Sequence, residues 1–395
     1  MKFVISRGAA TVAAGLALAL AVPLASTAAA AGAAAPAPAS GPPTDQASVD
    51  LRLPEPTGPS AVGRDTLHLV DTARADPWVP AAGARELLVS MFYPARAGTG
   101  RPAPYLAAEE ARLLLESQRL EGVVTAEEVA ATRITSRVGA RPAAGRHPLV
   151  VLSPGFSLPR TTLTLLAEEL ASRGYVVAAV DHAYESVGTL FPGGRMLTCV
   201  ACEAADDLAA VAEGRAADLS FVLDRLTGPR PAWRHAGLID TTRIGMAGHS
   251  IGGNATAVTM AGDSRVRAGA NLDGTFFAPV PAEGLGGRPF LMLGTESLHR
   301  PGGGDESWDQ GWARLDGWRR WLTVTGSGHF TFIDLPVLGG QLGLTDPEAP
   351  LSGERSGEIT RGYLAAFFDA HLRGQPQPLL DGPTAANPEV VFQGG

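Results

Sequence analysis

Arg243-Ile244-Gly245-Met246-Ala247-Gly248-His249-Ser250-Ile251-Gly252-Gly253-Asn254 is the stretch that decides the fold of this chain. It starts as an apolar strand end, continues as Gly-His-Ser-Ile-Gly and leads into small residues that suit the start of a helix. This is the G-x-S-x-G pattern, in which a serine lies on a sharp turn between a strand and a helix. Gly248 and Gly252 suit that turn, because Cβ atoms would clash where the backbone doubles back. We therefore predict Ser250 as a nucleophile, although the five-residue pattern alone also fits an ordinary glycine-rich turn.

Strand and helix patterns alternate along the chain around this stretch. Strands are predicted at residues 66–70, 86–93, 148–152, 175–180, 243–247, 266–272, 289–294 and 321–325. Helices are predicted at residues 105–118, 125–131, 161–172, 204–226 and 358–372. Several of the strands are continuous apolar runs, which is typical of strands buried on both faces. We therefore predict the α/β class, with a mainly parallel central sheet flanked by helices on both faces and a site at the carboxyl ends of its strands.

The composition is that of a globular protein with few charges. The chain has 395 residues, of which 45% are hydrophobic and 18% charged, and its formal net charge is −8. This length is sufficient for one large domain with a substantial core. The negative charge argues against a nucleic-acid partner, because no basic face is available to follow a phosphate backbone.

The first residues predict export. Lys2 and Arg7 precede a short apolar core at residues 12–24, and small residues of the A-x-A kind follow it. An uncleaved membrane anchor is the alternative, but the apolar core is short and rich in alanine. We therefore expect a secreted monomer without a stable membrane anchor after cleavage. The predicted segments are a signal peptide at residues 1–30, an Ala/Pro-rich linker at 31–60, a catalytic domain at 61–375 and a C-terminal tail at 376–395.

Cys199 and Cys202 are the two cysteines of the chain. In an exported protein a local disulfide is the first expectation for such a pair. A redox C-x-x-C would need a thioredoxin-like context, which is not seen around it. A zinc site would need two further ligands, and the candidates nearby are acidic residues that follow the second cysteine.

A serine hydroxyl needs a general base, and three histidines follow Ser250. His371 lies within the last predicted helix, and His299 lies in a Gly/Pro-rich loop. His329 follows a predicted strand on a loop of small residues, Gly326-Ser327-Gly328, from which its ring could reach the serine. We predict His329 as the base.

Two acidic residues are candidates to orient that histidine. Asp273 ends the strand after the elbow helix, and Glu296 follows the next strand. Both lie at carboxyl ends of strands, so the topology alone allows either residue.

Backbone N–H groups must also stabilise the oxyanion that forms when an ester is attacked. One donor is normally the residue after the nucleophile, here Ile251, and the other comes from the loop after an earlier central strand. Phe156, in Ser153-Pro154-Gly155-Phe156-Ser157, is the candidate for the second donor. Phe276 and Phe277 follow Asp273 closely, and either an acyl pocket or core packing explains them.

Taken together, these motifs resemble the platelet-activating factor acetylhydrolase group (plasma and intracellular type II) of the α/β-hydrolases. The resemblance rests on residues 152–157, 180–182, 248–253, 271–274 and 326–329, and it covers roughly residues 85–335. It implies Asp273 as the acid and Phe156 and Ile251 as the oxyanion donors. Pro154 is a departure, since the family usually has Ser-His-Gly at residues 153–155.

We therefore predict a secreted serine esterase or lipase that hydrolyses lipid or short-chain carboxylic esters through an acyl-enzyme, without a metal or organic cofactor. The export signal and short insertions also resemble bacterial secreted lipases and polyester hydrolases. A polyester (cutinase-type) hydrolase and an extracellular acyltransferase with the same triad are the alternative functions.

Overall fold

The computed structural model describes residues 49–394. In that range eleven strands form one sheet, and two further short strands form a hairpin. The strands are β1 (Ala61–Ala75), β2 (Ala84–Ala95), β3 (Arg101–Pro102), β4 (Arg137–Val138), β5 (His147–Ser153), β6 (Val176–His182), β7 (Thr189–Phe191), β8 (Arg195–Leu197), β9 (Ile239–His249), β10 (Val266–Leu272), β11 (Phe290–Thr295), β12 (Arg319–Val324) and β13 (Val390–Gln393). The α-helices are α1 (Ala108–Gln118), α2 (Ala126–Ala130), α3 (Thr164–Ser172), α4 (Ala201–Ala204), α5 (Leu208–Thr227), α6 (Ile251–Gly262), α7 (Glu296–His299), α8 (Glu306–Arg314), α9 (Leu335–Gln341) and α10 (Gly353–Arg373).

The large sheet has the order β13-β12-β11-β10-β9-β5-β6-β2-β1-β4-β3. All neighbouring pairs from β6 to β12 are parallel, whereas β2 joins β6 and β13 joins β12 in antiparallel fashion. The predicted α/β class with a mainly parallel central sheet is confirmed.

Apolar cores cover both faces of this sheet, as the alternating side chains of β5 demonstrate. Val150 and Leu152 belong to a core that includes side chains of α3 and α10. Leu149 and Val151 belong to the opposite core, which includes side chains of α5 and α6. The continuous apolar run therefore buries both of its faces, as expected for a central parallel strand.

The parallel strands all end at one edge of the sheet, and the predicted catalytic residues lie at this edge. Ser250 follows β9, Asp273 follows β10, and the loop that leads to His329 follows β12. Residues that are far apart in the sequence are therefore brought to adjacent strand ends.

The structure differs from the predicted segments at both ends of the described range. Leu51 and Leu53 lie within the predicted linker, yet they are 2% and 4% exposed and pack against α1 and α2 side chains. The predicted tail contains β13, in which Val391 pairs with Thr323 of β12. This strand covers what would otherwise be an open sheet edge. The predicted signal peptide and the rest of the linker lie outside the described residues.

None of the helices between residues 49 and 394 has both the length and the hydropathy needed to cross a membrane.

Candidate active site

Ser250 lies on the turn between β9 and α6 with φ 55° and ψ −128°, a region that side-chain-bearing residues rarely adopt. The two flanking glycines allow this turn because the backbone is crowded. A Cβ on Gly248 would come within 2.1 Å of the backbone of Gly252, and a Cβ on Gly252 within 2.2 Å of the Ser153 carbonyl oxygen. The local sequence therefore produces the strained, partly accessible serine that the G-x-S-x-G pattern predicts.

A chain of hydrogen bonds connects Ser250 to His329 and Asp273. His329 Nε2 lies 3.0 Å from Ser250 Oγ, and His329 Nδ1 lies 2.6 Å from Asp273 Oδ2. Asp273 is 1% exposed, so burial alone would raise its pKa. Its contacts with two imidazoles outweigh burial and hold the pKa of Asp273 well below its usual range. The carboxylate is therefore charged and able to hold the Nδ1–H tautomer of His329.

Glu296, the alternative acid, does not contact this histidine. It begins α7 and is only partly buried, and no hydrogen bond joins it to His329 within residues 49–394. The geometry therefore favours Asp273 for the position beside the base.

The sequence reasoning missed His299, which binds the other oxygen of Asp273. His299 Nδ1 lies 2.6 Å from Asp273 Oδ1, and the imidazole is 2% exposed. The Gly/Pro-rich sequence around His299 does not predict this contact. The short helix α7 turns its last residue back under the end of β10, and only the tertiary fold shows it.

His249 supports the loop of the catalytic histidine candidate from below. It is fully buried, its Nε2 donates to the carbonyl oxygen of His329 at 2.7 Å, and the two rings lie 4.6 Å apart. Burial, together with the charge that His329 can carry, lowers the pKa of His249 to about 3. His249 is therefore neutral at ordinary pH and holds the loop without adding charge.

The loop with the candidate oxyanion donor Phe156 follows β5 and is supported by buried hydrogen bonds. The Ser153 hydroxyl lies 3.1 Å from His182 Nε2, and His182 Nδ1 lies 2.8 Å from Asp218. Because the carboxylate fixes the proton on Nδ1, the hydroxyl donates to Nε2. Arg215 donates to the carbonyl oxygen of Pro154. The loop is therefore held by these contacts, although residue 154 is a proline in this chain.

A cluster of buried ions lies beneath this loop. Arg85 Nη2 contacts Asp218 at 2.8 Å and Glu185 at 2.7 Å, and Arg215 Nε contacts Glu185 at 2.7 Å. Burial alone would lower the pKa of Arg85, but the two carboxylates outweigh it and raise that pKa. Each charge is therefore paired, as burial requires.

Phe156 packs against the apolar cluster that contains Ile251, so both candidate oxyanion donors border the same space. Neither backbone N–H donates a hydrogen bond to another group among the described residues. Both therefore remain available to a developing oxyanion.

The two phenylalanines after Asp273 have different surroundings. Phe276 is 3% exposed and packs between Phe290 and Trp308, with ring centroids 6.3 Å and 6.2 Å away. The core-packing explanation fits this residue, because its ring is enclosed by other aromatic rings, and a role in the substrate pocket stays a prediction. Phe277 is 42% exposed, so a ligand can still reach it.

The predicted disulfide between Cys199 and Cys202 is present in the structure. It spans the start of the short helix α4, directly after the hairpin formed by β7 and β8.

Known proteins resemble this chain over half of its length or more. The sequence profile of the family "Platelet-activating factor acetylhydrolase, isoform II" matches residues 46–191 and 233–345. A probable 1-alkyl-2-acetylglycerophosphocholine esterase of Arthroderma benhamiae is 29% identical over 86% of this chain and 93% of its own length. The platelet-activating factor acetylhydrolase of Cavia porcellus is 24% identical over 50% of each chain. Among solved structures, a ferulic acid esterase from Streptomyces cinnamoneus has 46% identity and a TM-score of 0.79, with coverage of 87% of this chain and 99% of its own.

Proposed function

The chain belongs to the platelet-activating factor acetylhydrolase isoform II family of carboxylic ester hydrolases, and we propose that it cleaves esters through an acyl-enzyme on Ser250. The predicted α/β-hydrolase fold and the predicted ester hydrolase class are both confirmed by this membership. The observation that carries the mechanistic proposal is the continuous hydrogen-bonded chain from Ser250 through His329 to Asp273.

In the first half-reaction, Ser250 Oγ attacks the carbonyl carbon of the ester while His329 Nε2 takes the hydroxyl proton. The negative charge on the former carbonyl oxygen is stabilised by the N–H groups of Phe156 and Ile251. As the tetrahedral intermediate collapses, the bond to the alcohol breaks and His329 returns its proton to the leaving oxygen. The acyl group remains on Ser250.

In the second half-reaction, water attacks the acyl carbon and His329 accepts a proton from it. The bond to Ser250 Oγ then breaks, the serine regains its proton, and the carboxylic acid leaves. Asp273 stays ionised throughout, since it orients the imidazole and stabilises its positive charge without itself taking the proton.

We propose lipid esters or short-chain esters as the substrate class. The support is the family membership and the resemblance to a protein described as an esterase of 1-alkyl-2-acetylglycerophosphocholine. An ester of ferulic acid is the second candidate, because the solved structure with 46% identity is a ferulic acid esterase. A polyester substrate and acyl transfer to an alcohol are further outcomes that the assays must separate.

We also propose that the mature protein acts outside the cell. The support is the charged and apolar pattern of residues 1–30 together with the disulfide between Cys199 and Cys202. Amino-terminal sequencing of protein recovered from the culture medium should begin after the apolar core. Recovery of the intact amino terminus from the cell interior would contradict this proposal.

The mechanism is tested with a fluorophosphonate probe followed by peptide mass spectrometry. We expect one adduct, on Ser250, and loss of hydrolysis by about a thousand-fold or more in Ser250→Ala. Ser264→Ala is the matched control, since Ser264 is exposed and lies outside the site. Labelling of a different residue, or full activity in Ser250→Ala, would contradict the proposed mechanism.

The substrate class is tested by comparing kcat/KM for 1-alkyl-2-acetylglycerophosphocholine, methyl ferulate, a polyester film and p-nitrophenyl esters from acetate to palmitate. A preference for the acetyl ester over methyl ferulate supports the first candidate, and the reverse supports the second. Adding an acceptor alcohol and measuring the new ester separates transfer from hydrolysis.

A further inference from the structure

His299 is held between two carboxylates, one of which is Asp273. Its Nδ1 lies 2.6 Å from Asp273 Oδ1, and its Nε2 lies 3.1 Å from Asp305 Oδ2. Both contacts have hydrogen-bonding distances, and each ring nitrogen has a separate acceptor. The five groups Asp305, His299, Asp273, His329 and Ser250 therefore form one continuous chain.

This geometry requires a doubly protonated ring. A neutral imidazole has one N–H and one lone pair, so one carboxylate would face a lone pair instead of a donor. Protonation of Asp305 could avoid that conflict. Burial alone would raise the pKa of Asp305, but His299, Ser307 and Thr275 donate to it and lower the pKa to about 2. The proton therefore stays on His299, and the ring carries a positive charge.

The groups that pack against His299 favour a fixed cation. Trp308 of α8 stacks on the imidazole with ring centroids 4.2 Å apart, and Gly294 of β11 packs against its Cβ. Trp321 of β12 donates to the His299 carbonyl oxygen at 2.6 Å. The charged and titratable groups that face it are Asp273 and Asp305, with His329 on the far side of Asp273.

Burial alone would lower the pKa of His299, but Asp273 and Asp305 outweigh it and raise that pKa to about 9. Residues 49–394 contain no group of three or more His, Cys, Asp or Glu side chains arranged to hold a metal ion.

We propose that His299 is a positioning residue that sets the pH range of the esterase by acting through Asp273. Its positive charge offsets part of the negative charge that Asp273 presents to His329, because both imidazoles contact the same carboxylate. Its hydrogen bond to Oδ1 also leaves Oδ2 to His329. This inference rests on the proposed function of Ser250, His329 and Asp273.

The expected effect is large enough to measure. The two imidazoles contact the two oxygens of one carboxylate. At an effective dielectric constant of about 20, a unit charge about 6 Å away changes a protonation equilibrium by about two pH units. Loss of the His299 charge should therefore move the acid limb of the activity profile to higher pH by about two units.

The test is the pH profile of kcat/KM for p-nitrophenyl acetate in wild type and His299→Gln. Glutamine can still donate a hydrogen bond to Asp273 but carries no charge. We expect the midpoint of the acid limb to rise by about two pH units, with an unchanged KM and a loss of less than about ten-fold in kcat on the alkaline plateau. His235→Gln, at a partly exposed histidine outside the site, is the control and should not move the limb.

Superimposable acid limbs for wild type and His299→Gln would overturn the proposal, even if activity falls at every pH. A purely structural role would lower kcat/KM at every pH without moving the midpoint of the acid limb.

A second measurement does not depend on the variant or on turnover. In wild-type protein labelled with ¹⁵N-histidine, both ring nitrogens of His299 should carry protons from pH 6 to about pH 8. A neutral His299 at pH 7 would also overturn it.

These outcomes are separate from failure of the proposed function. That failure would appear as an absence of probe labelling at Ser250, whereas the ¹⁵N spectrum reports the charge of His299 in either case.

Discussion

Replacing Asp273 by asparagine should preserve the shape of the site while placing the imidazole proton on the wrong nitrogen. Asp273 Oδ1 accepts from His299 at 2.6 Å and from the Thr295 N–H at 2.7 Å, and Oδ2 accepts from His329 at 2.6 Å. An amide has one oxygen and one NH₂ group. Because two donors face the Oδ1 position, the amide oxygen must occupy it, and the NH₂ group then faces His329.

His329 Nδ1 must then present its lone pair to that NH₂ group, so the proton moves to Nε2, which faces Ser250. The base can no longer accept the serine proton. Serine proteases that carry the corresponding change lose about 10⁴-fold in kcat, which is about 5 kcal/mol of transition-state stabilisation. We expect a loss of the same order for Asp273→Asn, measured as kcat with p-nitrophenyl acetate.

Glu296→Gln is the matched control, because Glu296 lies on the next strand end and does not contact His329. It should retain activity within about two-fold of wild type, and circular dichroism should show that both variants are folded. A loss of less than about ten-fold in Asp273→Asn, together with a large loss in Glu296→Gln, would refute the assignment of the acid.

Three further predictions concern stability. Gly252→Ala should lower the free energy of unfolding by about 2–3 kcal/mol and reduce activity, because its Cβ meets a backbone oxygen at 2.2 Å, whereas Gly262→Ala, with no atom within 4 Å, should be neutral or slightly stabilising in urea unfolding. The raised pKa of His299, about 9, means that its contribution of about 3 kcal/mol is complete below about pH 6.5 and is lost as the pH rises to about 9; His299→Gln should remove this dependence between pH 6 and 9. Replacing Cys199 and Cys202 together by serine should lower the thermal midpoint by an amount equivalent to about 2 kcal/mol, and an unchanged midpoint would contradict a stabilising bridge.

Much of the fold and part of the site could be predicted because local patterns carry them. Ser250 is recognisable from five neighbouring residues, since the turn needs small residues on both sides and a strand before it. The central strands are recognisable from their continuous apolar runs. His329 could be proposed from its place on a loop of small residues after a predicted strand.

Other features were not predictable because they depend on where distant segments meet. The apolar character of Phe276 does not distinguish a pocket from the core, and only its neighbours Phe290 and Trp308 place it in the core. β13 is a short strand in a region rich in proline and glycine, and it becomes a strand because the edge of β12 offers it hydrogen-bonding partners. Asp218, which supports the oxyanion loop through His182, likewise lies on α5, far from that loop in the sequence.

The sequence by itself determined the elbow, the alternation of strands and helices, and the order of nucleophile, acid and base candidates, because these follow from sterics and periodicity over a few residues. The family resemblance favoured Asp273 over Glu296, but only the tertiary structure shows that Asp273 lies beside His329 and that His299 shares the same carboxylate. The reason is physical: strand order and the turn of α7 set those distances, and neither is encoded in any single stretch of the chain.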